Sequence, residues 1–149
     1  MDDSISKRPI IWILNGPNLN LLGVREPGIY GDQSFDKYFR QLQSRYPEID
    51  LHYYHSNHEG DLLDKLHEIG FSCTGIVFNP GAYTHTSIAL ADAVKAIESP
   101  VFEVHISDVS RREPFRQISY LRPYCSGHIM GEGLAGYEKA IQELMSLRK

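Results

Sequence analysis

A glutamate and a histidine two residues apart, Glu103 and His105, lie in a run of β-branched and aromatic residues that is typical of a buried strand. Side chains at positions i and i+2 of a strand point to the same face, so the two can contact each other. A carboxylate beside an imidazole fixes its tautomer and supports its protonated form. The pair therefore predicts a functional histidine at the carboxyl end of a strand. The alternative is a buried, mutually satisfied pair without chemistry.

A second pair that could carry chemistry, Arg25 and Tyr30, lies in a long loop rich in Gly, Pro and Asn after the first predicted strand. Tyrosine has a reference pKa near ~10 and is a poor base at neutral pH unless its anion is stabilised. A nearby guanidinium favours the phenolate, so the pair predicts a general base. The alternative is an ordinary surface loop whose polar side chains make turn hydrogen bonds.

Short segments of strand type alternate with segments of helical periodicity along the chain. The strands are predicted at residues 10–14, 49–54, 75–78 and 101–106, with a weaker fifth at 126–130. The helices are predicted at residues 35–46, 61–69, 87–97 and 134–147. This alternation predicts an α/β fold, a flavodoxin-like three-layer sandwich with a five-stranded parallel sheet, in a single domain over residues 1–149. In such folds, ligands bind beyond the carboxyl ends of the strands.

The segment 79–87 follows the third strand and is predicted to open a helix, whose N-terminus would favour an anion. His85 and Asp92 are seven residues apart, which places them on one face of that helix. For Asp92 the alternative is an exposed surface charge. Arg112 and Arg116 flank Pro114, and one of them is predicted to bind a substrate carboxylate; the alternative is a pair of solvated arginines.

Composition and charge exclude several classes of protein. Hydrophobic residues make up 42% and charged residues 23%, which is typical of a globular protein. The formal net charge of −4 gives no basic surface for nucleic acid. No apolar run reaches the roughly 20 residues of a membrane helix, and the polar residues 1–9 predict no secretory signal, so the expected compartment is the cytoplasm. Cys73 and Cys125 are expected to be reduced.

Metal and nucleotide sites lack their usual patterns. His52, His55 and His58 have no spacing typical of a metal-binding motif, so no metal is predicted. No glycine-rich phosphate-binding pattern occurs.

Five motifs in a fixed order carry a resemblance to a known family. They are LNGPNLNLLG at 14–23, the two-part motif of REP at 25–27 with IYG at 29–31, SNHEG at 56–60, NPGAYTH at 79–85 and EVHIS at 103–107. Through these motifs and their order, the chain resembles the type II 3-dehydroquinate dehydratases. The resemblance implies a hydro-lyase that converts 3-dehydroquinate to 3-dehydroshikimate, in aromatic biosynthesis or quinate breakdown. It implies no cofactor and no Schiff-base lysine.

The resemblance also implies a role for each matched residue. Tyr30 is the base, Arg25 stabilises its phenolate, and Asn18 helps to hold a water that stabilises the enolate oxygen. His105 is the acid and Glu103 orients it. The substrate-binding set implied is Asn79, His85, Ile106, Ser107 and Arg116, with Asp92 reaching the site of a neighbouring subunit. The implied assembly is a homododecamer, a tetramer of trimers.

Two positions depart from the family's pattern, since Asp108 stands where Asn is common and Pro114 where Glu is frequent. Neither carries the implied chemistry, so both affect the expected loop geometry and not the expected activity. A competing hypothesis from another class is a flavodoxin-like binding or signalling module. That hypothesis predicts a hydroxyl-rich phosphate loop after strand one or a phosphorylatable Asp after strand three, whereas the sequence has Asn-Gly-Pro-Asn and Asn79-Pro80 at these places.

Overall fold

Five strands alternate with four α-helices in residues 8–24 and 33–148, the part of the chain that this computed structural model describes. The strands are β1 (Ile10–Asn15), β2 (Asp50–His55), β3 (Gly75–Asn79), β4 (Val101–His105) and β5 (Gly127–Met130). The helices are α1 (Phe35–Arg45), α2 (Glu59–Ile69), α3 (Ile88–Ala96) and α4 (Ala135–Ser146). Each predicted element is present, with bounds that differ by one or two residues.

The five strands form one sheet in the order β2-β1-β3-β4-β5, and every neighbouring pair is parallel. The chain moves outward in one direction from β1 to β2 and in the other from β3 to β5. The switch point of the topology therefore lies between β1 and β3, where ligands bind in folds of this kind. The predicted flavodoxin-like sandwich with a five-stranded parallel sheet is confirmed.

Alternate side chains of the strands supply two cores, one on each face of the sheet. Helices α1 and α4 cover the face that includes Ile11, Ile13 and Val104. Helices α2 and α3 cover the face that includes Leu14, Ile76 and Val101. Because side chains alternate along a strand, Glu103 and His105 share the α2/α3 face with Val101.

The helix after β3 begins later than the sequence suggested. Residues Gly81–His85 form a 3-10 turn, and Ser87 then caps α3 by accepting a hydrogen bond from the Leu90 N–H at 2.9 Å. Ser87 has extended backbone angles, as an N-cap residue does, so His85 lies before the helix and not on it. The prediction that His85 and Asp92 share a helix face was wrong for this reason.

The loops that follow β1 and β3 are in direct contact. The Gly16 N–H donates to the Asn79 carbonyl oxygen at 2.7 Å. A Cβ atom at position 16 would lie 2.3 Å from the Pro80 carbonyl oxygen, so no larger residue fits there without moving the backbone. This close approach brings the polar loops at the switch point together.

Three further features concern the class of protein. Cys73 and Cys125 are free thiols, each half-buried. No helix within residues 8–24 and 33–148 is both long enough and apolar enough to cross a membrane. Within the same residues, no group of three His, Cys, Asp or Glu side chains is arranged to hold a metal ion.

Candidate active site

A pocket opens at the carboxyl ends of β1, β3 and β4, which is the edge of the sheet where the fold places ligands. It brings together eight of the residues that the sequence singled out: Asn18, Asn79, His85, His105, Ile106, Ser107, Arg112 and Arg116. Arg25 and Tyr30 lie outside the described residues. Asp92 is exposed on α3 and does not line the pocket of its own chain.

The predicted Glu103–His105 pair is formed at the end of β4. The His105 Nε2 lies 2.5 Å from the Glu103 Oε2, and both residues are buried. A carboxylate only accepts hydrogen bonds, so Nε2 carries the hydrogen of this contact. Nδ1 is therefore the ring nitrogen that can hold a second, transferable proton.

Glu103 has two further partners in the segment after the 3-10 turn Pro114–Arg116. The Arg122 guanidinium donates from Nη2 to Oε2 at 3.0 Å and from Nε to Oε1 at 3.3 Å. The Ser119 hydroxyl donates to Oε1 at 3.0 Å. Burial by itself raises the pKa of Glu103, but the hydrogen bonds from His105 and Arg122 outweigh it and hold the pKa at about 2. The carboxylate beside His105 is therefore ionised at neutral pH.

His85 lies next to His105, with ring centroids 6.3 Å apart and the planes inclined by 22°. Burial lowers the pKa of His85, and the charges of His105 and Arg116 lower it further, so the imidazole is neutral at pH 7. Its Nδ1 lies 2.7 Å from the Ile118 carbonyl oxygen, which can only accept, so Nδ1 carries the hydrogen. Nε2 is then an acceptor, suited to a ligand hydroxyl.

Asn18 reaches the pocket from the loop after β1 through an unusual backbone conformation. Its φ of 70° is in the left-handed region, which Asn tolerates better than most residues. The side chain of Asn57, from the SNHEG motif, accepts a hydrogen bond from the Asn18 N–H at 2.9 Å. The motif that follows β2 thus fixes a residue that follows β1.

Asn79 is held by a buried network on the α1/α4 face of the sheet. Its Nδ2 donates to the Tyr137 hydroxyl at 2.8 Å, and that hydroxyl donates to the Asn15 Oδ1 at 2.8 Å. The Asn79 Oδ1 accepts from the Gly81 N–H at 3.1 Å. Burial raises the pKa of Tyr137, so this hydroxyl stays neutral.

Two arginines give the pocket a positive character. Arg112 donates to the Ser107 hydroxyl at 3.4 Å, and Arg116 forms an ion pair with Glu113 at 3.3 Å. No Asp or Glu is among the described residues that line the pocket. Ile106 contributes through its backbone, because its side chain belongs to the α1/α4 core. A small anion that carries hydroxyl groups fits this lining.

Comparison with known proteins identifies the family. A model of the class II dehydroquinases matches residues 9–145. The chain is 53% identical over 136 residues to the 3-dehydroquinate dehydratase of an Exiguobacterium species, covering 91% of this chain and 93% of that protein. It is 50% identical over 140 residues to that of Bacillus pumilus, covering 93% of this chain and 95% of that protein.

The chain belongs to the class II dehydroquinases. A solved relative of this family, the type II dehydroquinase of Butyrivibrio crossotus, superposes with a TM-score of 0.89 at 44% identity, covering 93% of this chain and 98% of that one. The family predicted from the five motifs is confirmed, and with it the prediction of an enzyme of the dehydroquinase class. The alternative of a flavodoxin-like binding or signalling module is not favoured.

Sequence reasoning missed three residues that act on the predicted site of this dehydroquinase. Arg122 and Ser119 contact Glu103, and Asn57 contacts Asn18. A signal for the first two was present, since a carboxylate on a central strand needs a cation or several donors as partners. The sequence could not say which arginine supplies them, because Arg122 is 19 residues from Glu103.

Proposed function

We propose that this dehydroquinase removes water from 3-dehydroquinate through an enolate to give 3-dehydroshikimate. Family membership supports the reaction. The observation that carries it is the buried Glu103–His105 pair, which opens into a pocket with two arginines and no acidic lining among the described residues. Such a pocket suits a carboxylate substrate with several hydroxyls, and the pair suits proton delivery to one of them.

The first step is assigned to the loop after β1 on the strength of the family resemblance. Tyr30, as a phenolate stabilised by Arg25, takes a proton from the carbon next to the substrate ketone. The electron pair of the broken C–H bond moves onto the ketone oxygen and forms an enolate. Asn18 holds the water that stabilises this oxygen, an interaction worth most where charge develops. The left-handed backbone of Asn18, fixed by Asn57, supports this role.

The second step is assigned to His105. When the enolate returns to the ketone, its electrons form the new C=C bond and expel the hydroxyl on the following carbon. That hydroxyl takes the proton from Nδ1 of His105 and leaves as water. Glu103 holds Nε2–H throughout and stabilises the imidazolium before the transfer. Proton exchange with solvent then returns Tyr30 and His105 to their starting forms.

Substrate binding is assigned to the remaining lining groups. Arg116 binds the carboxylate, and the neutral His85 accepts a hydrogen bond from a substrate hydroxyl through Nε2. Asn79, Ile106 and Ser107 bind the other polar groups of the ring through side-chain amide, backbone and hydroxyl. The contact of Ser107 with Arg112 supports a continuous polar wall on this side.

We propose further that the enzyme is a homododecamer, a tetramer of trimers, in which Asp92 reaches the site of a neighbouring copy. Three large apolar side chains whose exposure a subunit interface would explain support this assembly: Ile88, Phe115 and Ile118 are exposed by 62%, 62% and 59%. Asp92 follows Ile88 by one helical turn and so lies on the same face of α3 as this exposed side chain. Analytical ultracentrifugation should give the mass of twelve 17.0 kDa chains, and Ile118→Lys should lower it.

The domain organisation, the cellular compartment and the pathway are assigned from the same resemblance. We propose one domain over residues 1–149, supported by the family match over 9–145. We place the enzyme in the cytoplasm, in aromatic biosynthesis or quinate breakdown, where it needs no cofactor.

The function is tested by adding 3-dehydroquinate to the purified protein and following the ultraviolet absorbance of the conjugated enone. Absorbance should rise at the same rate after treatment with borohydride in the presence of substrate, because no Schiff base is formed. Inactivation by borohydride would assign the chemistry to a lysine and contradict the proposal. A protein that leaves 3-dehydroquinate unchanged would contradict it outright.

A further inference from the structure

Arg122 contacts the candidate site without lining the pocket. Its guanidinium makes two hydrogen bonds to Glu103, at 3.0 and 3.3 Å, and it is not among the described residues that line the pocket. Oε2 of Glu103 is shared, since it accepts from both Arg122 and His105. Glu103 is fully buried, whereas the Arg122 side chain is 28% exposed.

A buried carboxylate with a single histidine partner has two stable arrangements. In one it is ionised and accepts from the imidazole; in the other it takes a proton and the imidazole becomes neutral. A permanently charged guanidinium favours the first arrangement at any pH at which the protein is folded. Its planar fork also fixes the rotation of the carboxylate, so that Oε2 faces His105.

We propose that Arg122 is a positioning residue for His105: it keeps Glu103 ionised and turned towards the imidazole that donates the proton. The inference rests on the proposed function, in which His105 is the acid. Arg122 acts through Glu103 and touches no reacting atom.

Arg122 differs from the titratable groups around Glu103, because its charge does not change with pH. In the part of the chain that the structure describes, the titratable groups that interact with Glu103 include His105 on the same strand, His85 on the turn after β3 and Cys125 in the segment after Arg122. Burial, with the charge of Glu103, raises the pKa of Cys125 to about 12, so this thiol is neutral. The low pKa of His85 makes it neutral too. Among the described residues that act on Glu103, Arg122 supplies the positive charge that does not depend on pH.

A purely structural role for the guanidinium is not required by the fold of its segment. Leu121, next to Arg122, is fully buried in the α2/α3 core. The Tyr120 N–H donates to the Thr84 carbonyl oxygen at 3.2 Å, and the Tyr124 N–H donates to the Leu121 carbonyl oxygen at 2.9 Å. These contacts hold the segment in place through backbone and core groups that a change at the Arg122 side chain leaves intact.

The test compares Arg122→Met, Arg122→Lys and the control Arg40→Met, an exposed arginine on α1. In Arg122→Met, kcat for dehydration should fall about 10-fold with KM within about 2-fold, the size expected for weakened general acid catalysis. The acidic limb of kcat should move to higher pH by about one unit or more, because burial then raises the Glu103 pKa against one partner fewer. Arg122→Lys should restore most of the pH profile, and Arg40→Met should match the wild type.

The decisive background is Glu103→Gln, in which no carboxylate remains to be held. There, adding Arg122→Met should change neither kcat nor the pH profile further; an added loss equal to that in the wild-type background would overturn the proposal. An acidic limb that does not move in Arg122→Met would overturn it as well.

A readout without turnover separates this inference from the proposed function. Infrared difference spectra between each protein and its Glu103→Gln counterpart isolate the protonated carboxyl of Glu103. The carboxyl band should appear at higher pH in Arg122→Met than in the wild type, and a band at the same pH in both would refute the role of Arg122. Failure of the wild type to dehydrate 3-dehydroquinate would refute the proposed function instead, whatever the infrared result.

Discussion

Two polar clusters lie at the carboxyl edge of the same sheet, one on each face. The neutral cluster, Asn15, Tyr137 and Asn79, is buried under α1 and α4. The charged cluster, Glu103, His105, Arg122 and Ser119, lies on the α2/α3 face and opens into the pocket. Both are hydrogen-bonded, as buried polar groups must be.

The two clusters differ in what a proton can do. The neutral cluster contains amides and a hydroxyl whose pKa burial raises, so no member changes charge near neutral pH. The charged cluster contains an imidazole that can hold or release a proton beside a carboxylate that stays ionised. We infer that the first cluster is a framework that places Asn79, and that the second carries the chemistry.

Two Tyr→Phe substitutions separate framework from chemistry, and the larger effect belongs to the proposed base. Tyr30→Phe should lower turnover by about 10²–10⁴-fold or more, since it removes the proposed general base, and should leave the free energy of unfolding unchanged. Steady-state kinetics and denaturant unfolding check both parts. Turnover within a few-fold of the wild type would assign the base to another group.

Glu103→Gln removes the charge of the charged cluster and keeps its size. We expect kcat to fall by about 10–100-fold, less than for loss of the acid itself, because the amide no longer stabilises the imidazolium. KM should change little, since Glu103 does not line the pocket. An increase in KM at constant kcat would show that Glu103 serves substrate binding and not proton transfer.

Tyr137→Phe removes the hydroxyl that joins Asn15 to Asn79. The free energy of unfolding should fall by about 1–3 kcal/mol, because two buried amides lose a partner. Turnover should stay within about 3-fold, as no proton of the reaction passes through this cluster. A loss of kcat comparable to that of Glu103→Gln, in a protein of wild-type stability, would remove the distinction between the clusters.

The smallest effect concerns stability in acid. The pKa of Glu103 in the folded state, about 2, lies below its usual value of 4.5. The ionised carboxylate therefore contributes its full stabilisation of the fold at pH values above about 4.5. This stabilisation should be lost as the pH falls from about 4.5 towards 2. At fixed protein concentration, the free energy of unfolding of Glu103→Gln should decline less over this window than that of the wild type. Parallel declines would mean that Glu103 is not held ionised by its partners.

Local pattern predicted the charged pair well and the rest of its cluster poorly. The i, i+2 spacing of Glu103 and His105 in a strand is enough to place them on one face, whatever the remainder of the fold. Arg122 and Ser119 lie in the irregular segment between β4 and β5, and they contact Glu103 from there. This segment has no hydrophobic periodicity from which its path could be predicted. Contacts of this kind depend on tertiary structure.

The neutral cluster shows the same limit. The motif of Asn79 and its place after a strand predict a site residue, whereas the helical pattern predicts only a core position for its partner Tyr137, which is 58 residues away. The helix after β3 was placed too early because Ser87 could extend the periodic pattern or cap it, and its side chain caps it. The types of the elements were predictable from periodicity, whereas helix caps and hydrogen bonds between residues distant in sequence were not.

The central claim, that His105 is the acid and acts after proton abstraction, is tested most directly by His105→Ala in deuterated water. This variant should exchange the α-hydrogen of 3-dehydroquinate with solvent faster than it forms 3-dehydroshikimate, because Tyr30 still takes the proton while the hydroxyl cannot leave. Nuclear magnetic resonance of the substrate measures both rates in one sample. Exchange blocked as completely as dehydration would contradict the account and assign His105 to proton abstraction.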